Sequence, residues 1–138
     1  MVIVVAVLVA IVGSQPSGPS IGDHWHVPFK IVVCGERLPP LPQSAGDIHT
    51  HGDDVVHIHP DSSATSGRNA TIAAFLNSAA VRVTDTSITF GSKTLTNGDR
   101  CVDGRAGAVT VLINGKPTPT FLSVVPKDGD QIDIRFEP

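Results

Sequence analysis

All six histidines of this sequence stand in three His-x-His pairs: His24/His26, His49/His51 and His57/His59. None lies outside a pair, and all fall between positions 24 and 59 of a 138-residue chain. This spacing constrains the fold more than any other feature. Side chains alternate across an extended strand, so residues i and i+2 share a face. Each pair then presents two imidazoles side by side, roughly 7 Å apart at Cα. The pairs are interleaved with strand-forming residues such as Trp25, Val27, Ile48, Val55, Val56 and Ile58.

The stretch GDIHTHGDDVVHIHP predicts a β-hairpin with arms near Asp47–His51 and Val55–His59, stopped by Pro60. Gly52-Asp53-Asp54 is its turn signal. An odd loop, residues 53–55 or 52–56, sets His51 opposite His57 and His49 opposite His59, with four imidazoles on one face. A two-residue loop at Asp53-Asp54 puts the two pairs on opposite faces and splits the group. Sequence leaves both registers open. The third pair, His24/His26, precedes the first expected strand and joins the others if that strand neighbours the hairpin.

Paired imidazoles suit two cis ligands on one cation, and imidazole is a good donor to zinc, copper, nickel and iron. His24, His26, His49, His51, His57 and His59 are therefore the candidate metal ligands. Asp23, Asp47, Asp53 and Asp54 are candidate additional ligands, or acceptors for the second ring N–H. Copper(II) or zinc fits this donor set best; copper(I) fits less well, since the one methionine is Met1. A folded chain of this length buries enough surface to be stable without a staple, so a bound ion is functional rather than structural.

Three functional classes follow. The first is a binding module that captures, stores or delivers a transition metal. The second is a metalloenzyme of hydrolase, hydratase or oxygenase type, with three histidines on one zinc, iron or copper ion and an open position, and with Asp53 or Asp54 as base. The cupin pattern also uses His-x-His on a strand, but it expects a Glu a few residues on and a later His. Here Glu36 and Glu137 are the nearest candidates and no His follows His59. The zincin motif His-Glu-x-x-His, a Walker-type phosphate loop and a G-x-S-x-G elbow are all missing. The third class is an anchored interaction subunit whose partner is another membrane protein.

The remainder of the chain reads as an α+β domain with a mainly antiparallel or mixed sheet and one helix. Val27–Cys34 is a β-branched strand, ended by the polyproline-like Leu38–Pro42. Within DSSATSGRNATIAAFLNSAAV, the residues Ile72, Phe75, Leu76 and Ala79 mark one helical face. Strands are expected over 81–90, 93–96, 108–114 and 131–136, with turns at Asn97-Gly98, Asn114-Gly115 and Asp128-Gly129. Asn69-Ala70-Thr71 matches a glycosylation sequon, a short and common pattern.

Val2–Val12 is an unbroken apolar run. As a helix it spans roughly 16–18 Å, short of a ~30 Å hydrocarbon core. It matches a signal-peptide h-region in length, although no basic residue precedes it. Residues 1–13 are read as the remnant of a signal-anchor and 14–22 as a linker, leaving 23–138 as the His-rich domain; the alternative for the run is a buried N-terminal strand. Export to an oxidising compartment makes a Cys34–Cys101 disulfide the default for the two cysteines, against Cys34 as a thiolate ligand. A net charge of −3, with no basic run, excludes a nucleic-acid binder.

Two resemblances add to this reading. The strings DHWH, IHTHG and IHIHP, with Cys34, Gly67-Arg68-Asn69-Ala70-Thr71 and Cys101, resemble a set of small bacterial proteins with an N-terminal membrane segment and no assigned function. That resemblance runs from Asp23 to about Arg105 and implies an exported, membrane-anchored domain. The last third, with VTVLINGK and DGDQIDI, resembles the β-grasp sulfur carriers, which pair two such strands. The chain ends in Phe136-Glu137-Pro138 without a Gly-Gly tail, so only a β-grasp-like strand layout is implied.

Overall fold

A computed structural model of the chain describes residues 18–138. The apolar run at 2–12, and with it the signal-anchor reading, lies outside the described residues. Among the described residues no helix is long and apolar enough to cross a membrane.

The fold is α+β. Among the described residues ten strands are formed: β1 (Trp25–Val33), β2 (Glu36–Arg37), β3 (Ile48–His49), β4 (Val55–Ile58), β5 (Arg82–Val83), β6 (Ser87–Phe90), β7 (Lys93–Thr96), β8 (Ala108–Ile113), β9 (Lys116–Pro117) and β10 (Ile132–Glu137). One helix, α1 (Ile72–Ser78), follows β4. The main sheet has the order β3-β4-β1-β10-β8-β9, with β2 also on β1, and β5-β6-β7 form a small second sheet. β1 and β10 run parallel while the other pairs of the main sheet are antiparallel, so the sheet is mixed. The VTVLINGK and DGDQIDI strands lie side by side and antiparallel.

Alternation along β1 explains both faces of the sheet. Val27, Phe29 and Ile31 point to the core, where they meet Ile132, Ile134 and Phe136 of β10. Helix α1 covers this side with Ile72, Phe75 and Leu76, and the Phe75 ring meets Phe29 edge-on at 5.0 Å. Such a pair contributes about 0.5–1.5 kcal/mol beyond its buried area. The helix starts where Thr71 accepts a hydrogen bond from the Ala74 N–H. It is shorter than the apolar spacing predicts, because a 3₁₀ turn at Gly67–Asn69 uses the residues before it and Ala79 already caps it. The strand expected over 81–90 is interrupted at Asp85-Thr86, where the Thr84 hydroxyl accepts from Thr86 and Ser87 N–H and closes a turn.

Two features tie the ends of this architecture together. Cys34, just after β1, is bonded to Cys101 across 67 positions of chain. A loop of that length gives about 4 kcal/mol by chain-entropy reasoning. Residues 18–22, expected as linker, lie against the domain: Pro19 is buried, its carbonyl accepts from the Gly67 N–H, and the Gly22 N–H donates to Pro60.

Gly107 marks the tightest contact of the core. A Cβ there would stand 2.3 Å from the ring of Phe136, itself 1% exposed. Gly107→Ala is expected to lower stability by about 1–3 kcal/mol, the usual range for overpacking. Denaturant unfolding of the variant beside the wild type measures it, and an unchanged midpoint would contradict the packing described.

Candidate metal centre

The register of three strands builds the histidine cluster. β4 lies between β1 and β3. On one row His26 faces His57, and His57 faces His49. The row one residue along consists of Trp25, Ile58 and Ile48. Because faces alternate, the residue inside each His-x-His pair turns inward while the two imidazoles turn outward. Ile58 is 1% exposed and Thr50 is fully buried. Thr50 also organises the loop after β3: its N–H donates to the Ser44 hydroxyl, its carbonyl accepts from the Ser44 N–H, and its hydroxyl accepts from the Gly52 N–H.

All three pairs come to one face. His49 stands opposite His57, two residues away from the pairing of His51 with His57 that the odd-loop alternative gives. Two residues preserve the face, so the single-face arrangement forms with its partners exchanged. His51 falls in the connection 50–54, and His59 donates its N–H to the Asp47 carbonyl. Asp54, at φ 59°, carries the chain through the turn, and its carbonyl accepts from the Phe29 N–H.

The six rings form one contiguous group. Ring centroids are 3.7 Å apart for His24 and His59, 4.4 Å for His24 and His26, and 4.9 Å for His26 and His57. They are 4.4 Å apart for His51 and His57 and 4.7 Å for His49 and His51. His57 is the buried hub, His49 and His59 are half-buried, and His24, His26 and His51 are exposed. His24, His57 and His59 each offer a ligand atom, and these atoms lie within 4.8 Å of one another, close enough for one ion.

Hydrogen bonding distinguishes the ring nitrogens. His57 donates its Nε2–H to Asp53 Oδ2 at 2.8 Å, which leaves Nδ1 with the ring's lone pair. A carboxylate on the far nitrogen is the usual orienting contact for a ligating imidazole. His49 Nε2 and His51 Nε2 face each other at 3.2 Å, one ring donating to the other. His59 Nε2 and His49 Nδ1 are buried without a hydrogen bond, two of the three such side-chain atoms among the described residues. The Gly46 carbonyl favours a protonated His49 ring. Buried polar atoms normally have partners, so the orphaned His59 Nε2 in an imidazole cluster fits a cation as the missing partner.

The acidic residues divide by role. Asp53 is the carboxylate hydrogen-bonded to an imidazole among the described residues. Asp23 accepts from the Ser20 N–H, Asp54 pairs with Arg37 at 2.7 Å, and Asp47 accepts from the Asp61 N–H and the Thr65 hydroxyl. These three carboxylates hold turns. Asp128, which sequence reading takes only as part of a turn, accepts from the His26 N–H at 2.7 Å and fixes the start of β1. Cys34 is bonded to Cys101 and stands at the far end of β1, about 26 Å along the strand from His26. The bridge is present, and a thiolate at the histidine cluster is ruled out.

No family model matches the chain, and neither a curated protein nor a solved structure is significantly similar to it.

The cluster makes the metal-free domain sensitive to acid. Burial holds His59 below the ordinary imidazole range, and the neighbouring His24, His49, His57 and His26 charges add to it. Burial likewise holds His49 down, helped by His51 and His57 and opposed by Gly46 and Asp47. At Asp53, burial pushes the carboxyl up, but the His57 hydrogen bond and charge and the Val55 N–H outweigh it and leave it lowered. For a lowered histidine the unfolded chain binds more protons, so its stabilisation is complete above about pH 6.5 and is lost as pH falls through the folded value. The melting temperature of the chain in excess chelator is expected to fall from about pH 7.5 to about pH 5.5, and less steeply in His59→Gln. A flat profile over this interval would contradict the burial described.

Proposed function

We propose that this protein is an extracytoplasmic transition-metal-binding protein that captures, stores or delivers copper(II) or zinc through its three His-x-His pairs. The observation that carries the reading is His59. Its Nε2 is buried without a partner, and its ring belongs with His24 and His57 to a group of ligand-atom spacing. Neutral imidazoles favour borderline ions such as copper(II) and zinc. The disulfide agrees with an oxidising compartment, and the apolar run at 2–12 agrees with export or anchoring. Membership of the exported His-rich bacterial group suggested by DHWH, IHTHG and IHIHP belongs to the same proposal.

Binding is favoured over catalysis by the state of the acids. The carboxylate at the cluster, Asp53, is already bonded to His57, and Asp54 is paired with Arg37. Neither is left free to act as the base a hydrolytic centre needs.

Metal content measured by plasma mass spectrometry on the full chain, purified without a tag or chelator, tests the proposal. Copper or zinc is expected in the wild type and substantially reduced in the double variant His57→Ala, His59→Ala. Failure of the wild type to hold copper, zinc, nickel or iron, even after reconstitution, would overturn it. Asp53→Asn should weaken affinity about 10–100-fold without unfolding the domain, because it loosens the orientation of His57 rather than removing a ligand. Competition titration against a chelator of known affinity reads this change, and unaltered affinity would remove Asp53 from the site.

A further inference from the structure

The six imidazoles do not converge on one point. His24, His57 and His59 offer ligand atoms within 4.8 Å of one another. His49 and His51 turn their Nε2 atoms toward each other at 3.2 Å. These are two adjoining groups: the His57 ring lies 4.4 Å from His51, and the His49 and His59 rings stack at 5.2 Å.

We infer that the protein binds two transition-metal ions: one at His24, His57 and His59, and a second, solvent-facing one between His49 Nε2 and His51 Nε2. The inference rests on the metal-binding reading above and extends it to nuclearity. At metal–nitrogen lengths of about 2.0–2.1 Å, two cis imidazole nitrogens stand roughly 2.9–3.4 Å apart, from square to tetrahedral angles. The 3.2 Å separation of His49 and His51 already lies in that interval. A small rotation of each ring replaces the shared proton with a cation and leaves the backbone in place. A single ion at the trio does not use this geometry, because the paired Nε2 atoms are turned toward each other.

The surroundings of the pair point the same way. With Nε2 on an ion, the neutral His49 ring carries its proton on Nδ1, and the Gly46 backbone favours protonation of this ring. His51 is exposed, leaving the remaining coordination positions of this ion to water or to an exchanging ligand. Asp53, on His57, supplies negative charge beside the cluster and lowers the cost of two neighbouring cations. The trio contains the buried His57, whereas the pair is half open. The second ion is therefore the weaker and the more readily exchanged.

Titration of the full 138-residue chain with zinc(II) tests this, after metal removal and in competition with a chromophoric chelator. Two equivalents are expected, in a tight and a weak step. His51→Ala, at an exposed position, should remove the weak step and leave one tight equivalent; His49→Gln should do the same. The pair His24→Ala, His59→Gln should lose the tight step and keep the weak one. Unchanged circular dichroism certifies that each variant is folded. One equivalent in the wild type, or loss of all binding in His51→Ala, would overturn the second site while leaving the metal-binding reading intact. Two equivalents retained in His51→Ala would also overturn it. No binding of zinc(II), repeated with copper(II), would overturn the metal-binding reading itself.

Discussion

Strand β4 is hydrogen-bonded on both edges, to β1 and to β3, and the candidate site depends on that double pairing. One row of the three strands carries Trp25, Ile58 and Ile48 toward the core, and the adjacent row carries His26, His57 and His49 away from it. The apolar row fixes the polar one. A slip of one residue in either pairing would expose Ile58 or bury an imidazole, and each alternative costs burial free energy. The imidazoles themselves contribute little to choosing this register. His49 and His59 are lowered by desolvation, and charges on neighbouring rings oppose one another. The hydrophobic side of the sheet therefore holds together a surface that would otherwise disperse.

Much of this was legible in the sequence. Period-two spacing placed each His pair on a strand face, the Val- and Ile-rich runs located β1, β8 and β10, and the i, i+3, i+4 pattern of Ile72, Phe75 and Leu76 located α1. The parity of the hairpin loop was the open question. It resolved to a common face because Thr50, not a histidine, occupies the inward position after β3, with its hydrogen bonds to Ser44 and Gly52 met inside. Side-chain to backbone contacts of this kind carry no periodic signal. The same holds for Asp128, whose contact with His26 spans 102 positions. The roles of Asp23, Asp47 and Asp54 were equally hidden, since a carboxylate in a turn and one beside a metal look alike until partners such as Arg37 and Thr65 are seen.

The distribution of exposure across the cluster suggests a graded surface rather than a sealed chamber. His57 is nearly enclosed and oriented by Asp53, while His24, His26 and His51 meet solvent. A ligand set with one fixed member and several free ones combines selectivity at the fixed ring with rapid exchange at the free ones. A closed tetrahedral site, by contrast, holds its ion for structure.

The parallel pairing of β1 with β10 carries a consequence for timing. β10 follows β1 by about a hundred positions, so the central ladder of the sheet cannot zip until that later strand has been made. Asp128 and Gly129, which clasp His26 from both sides of its peptide, arrive with that later segment. The backbone that carries His26 is thus held in place by chain made about a hundred residues later, so the cluster is completed late in folding even though all its histidines lie between positions 24 and 59.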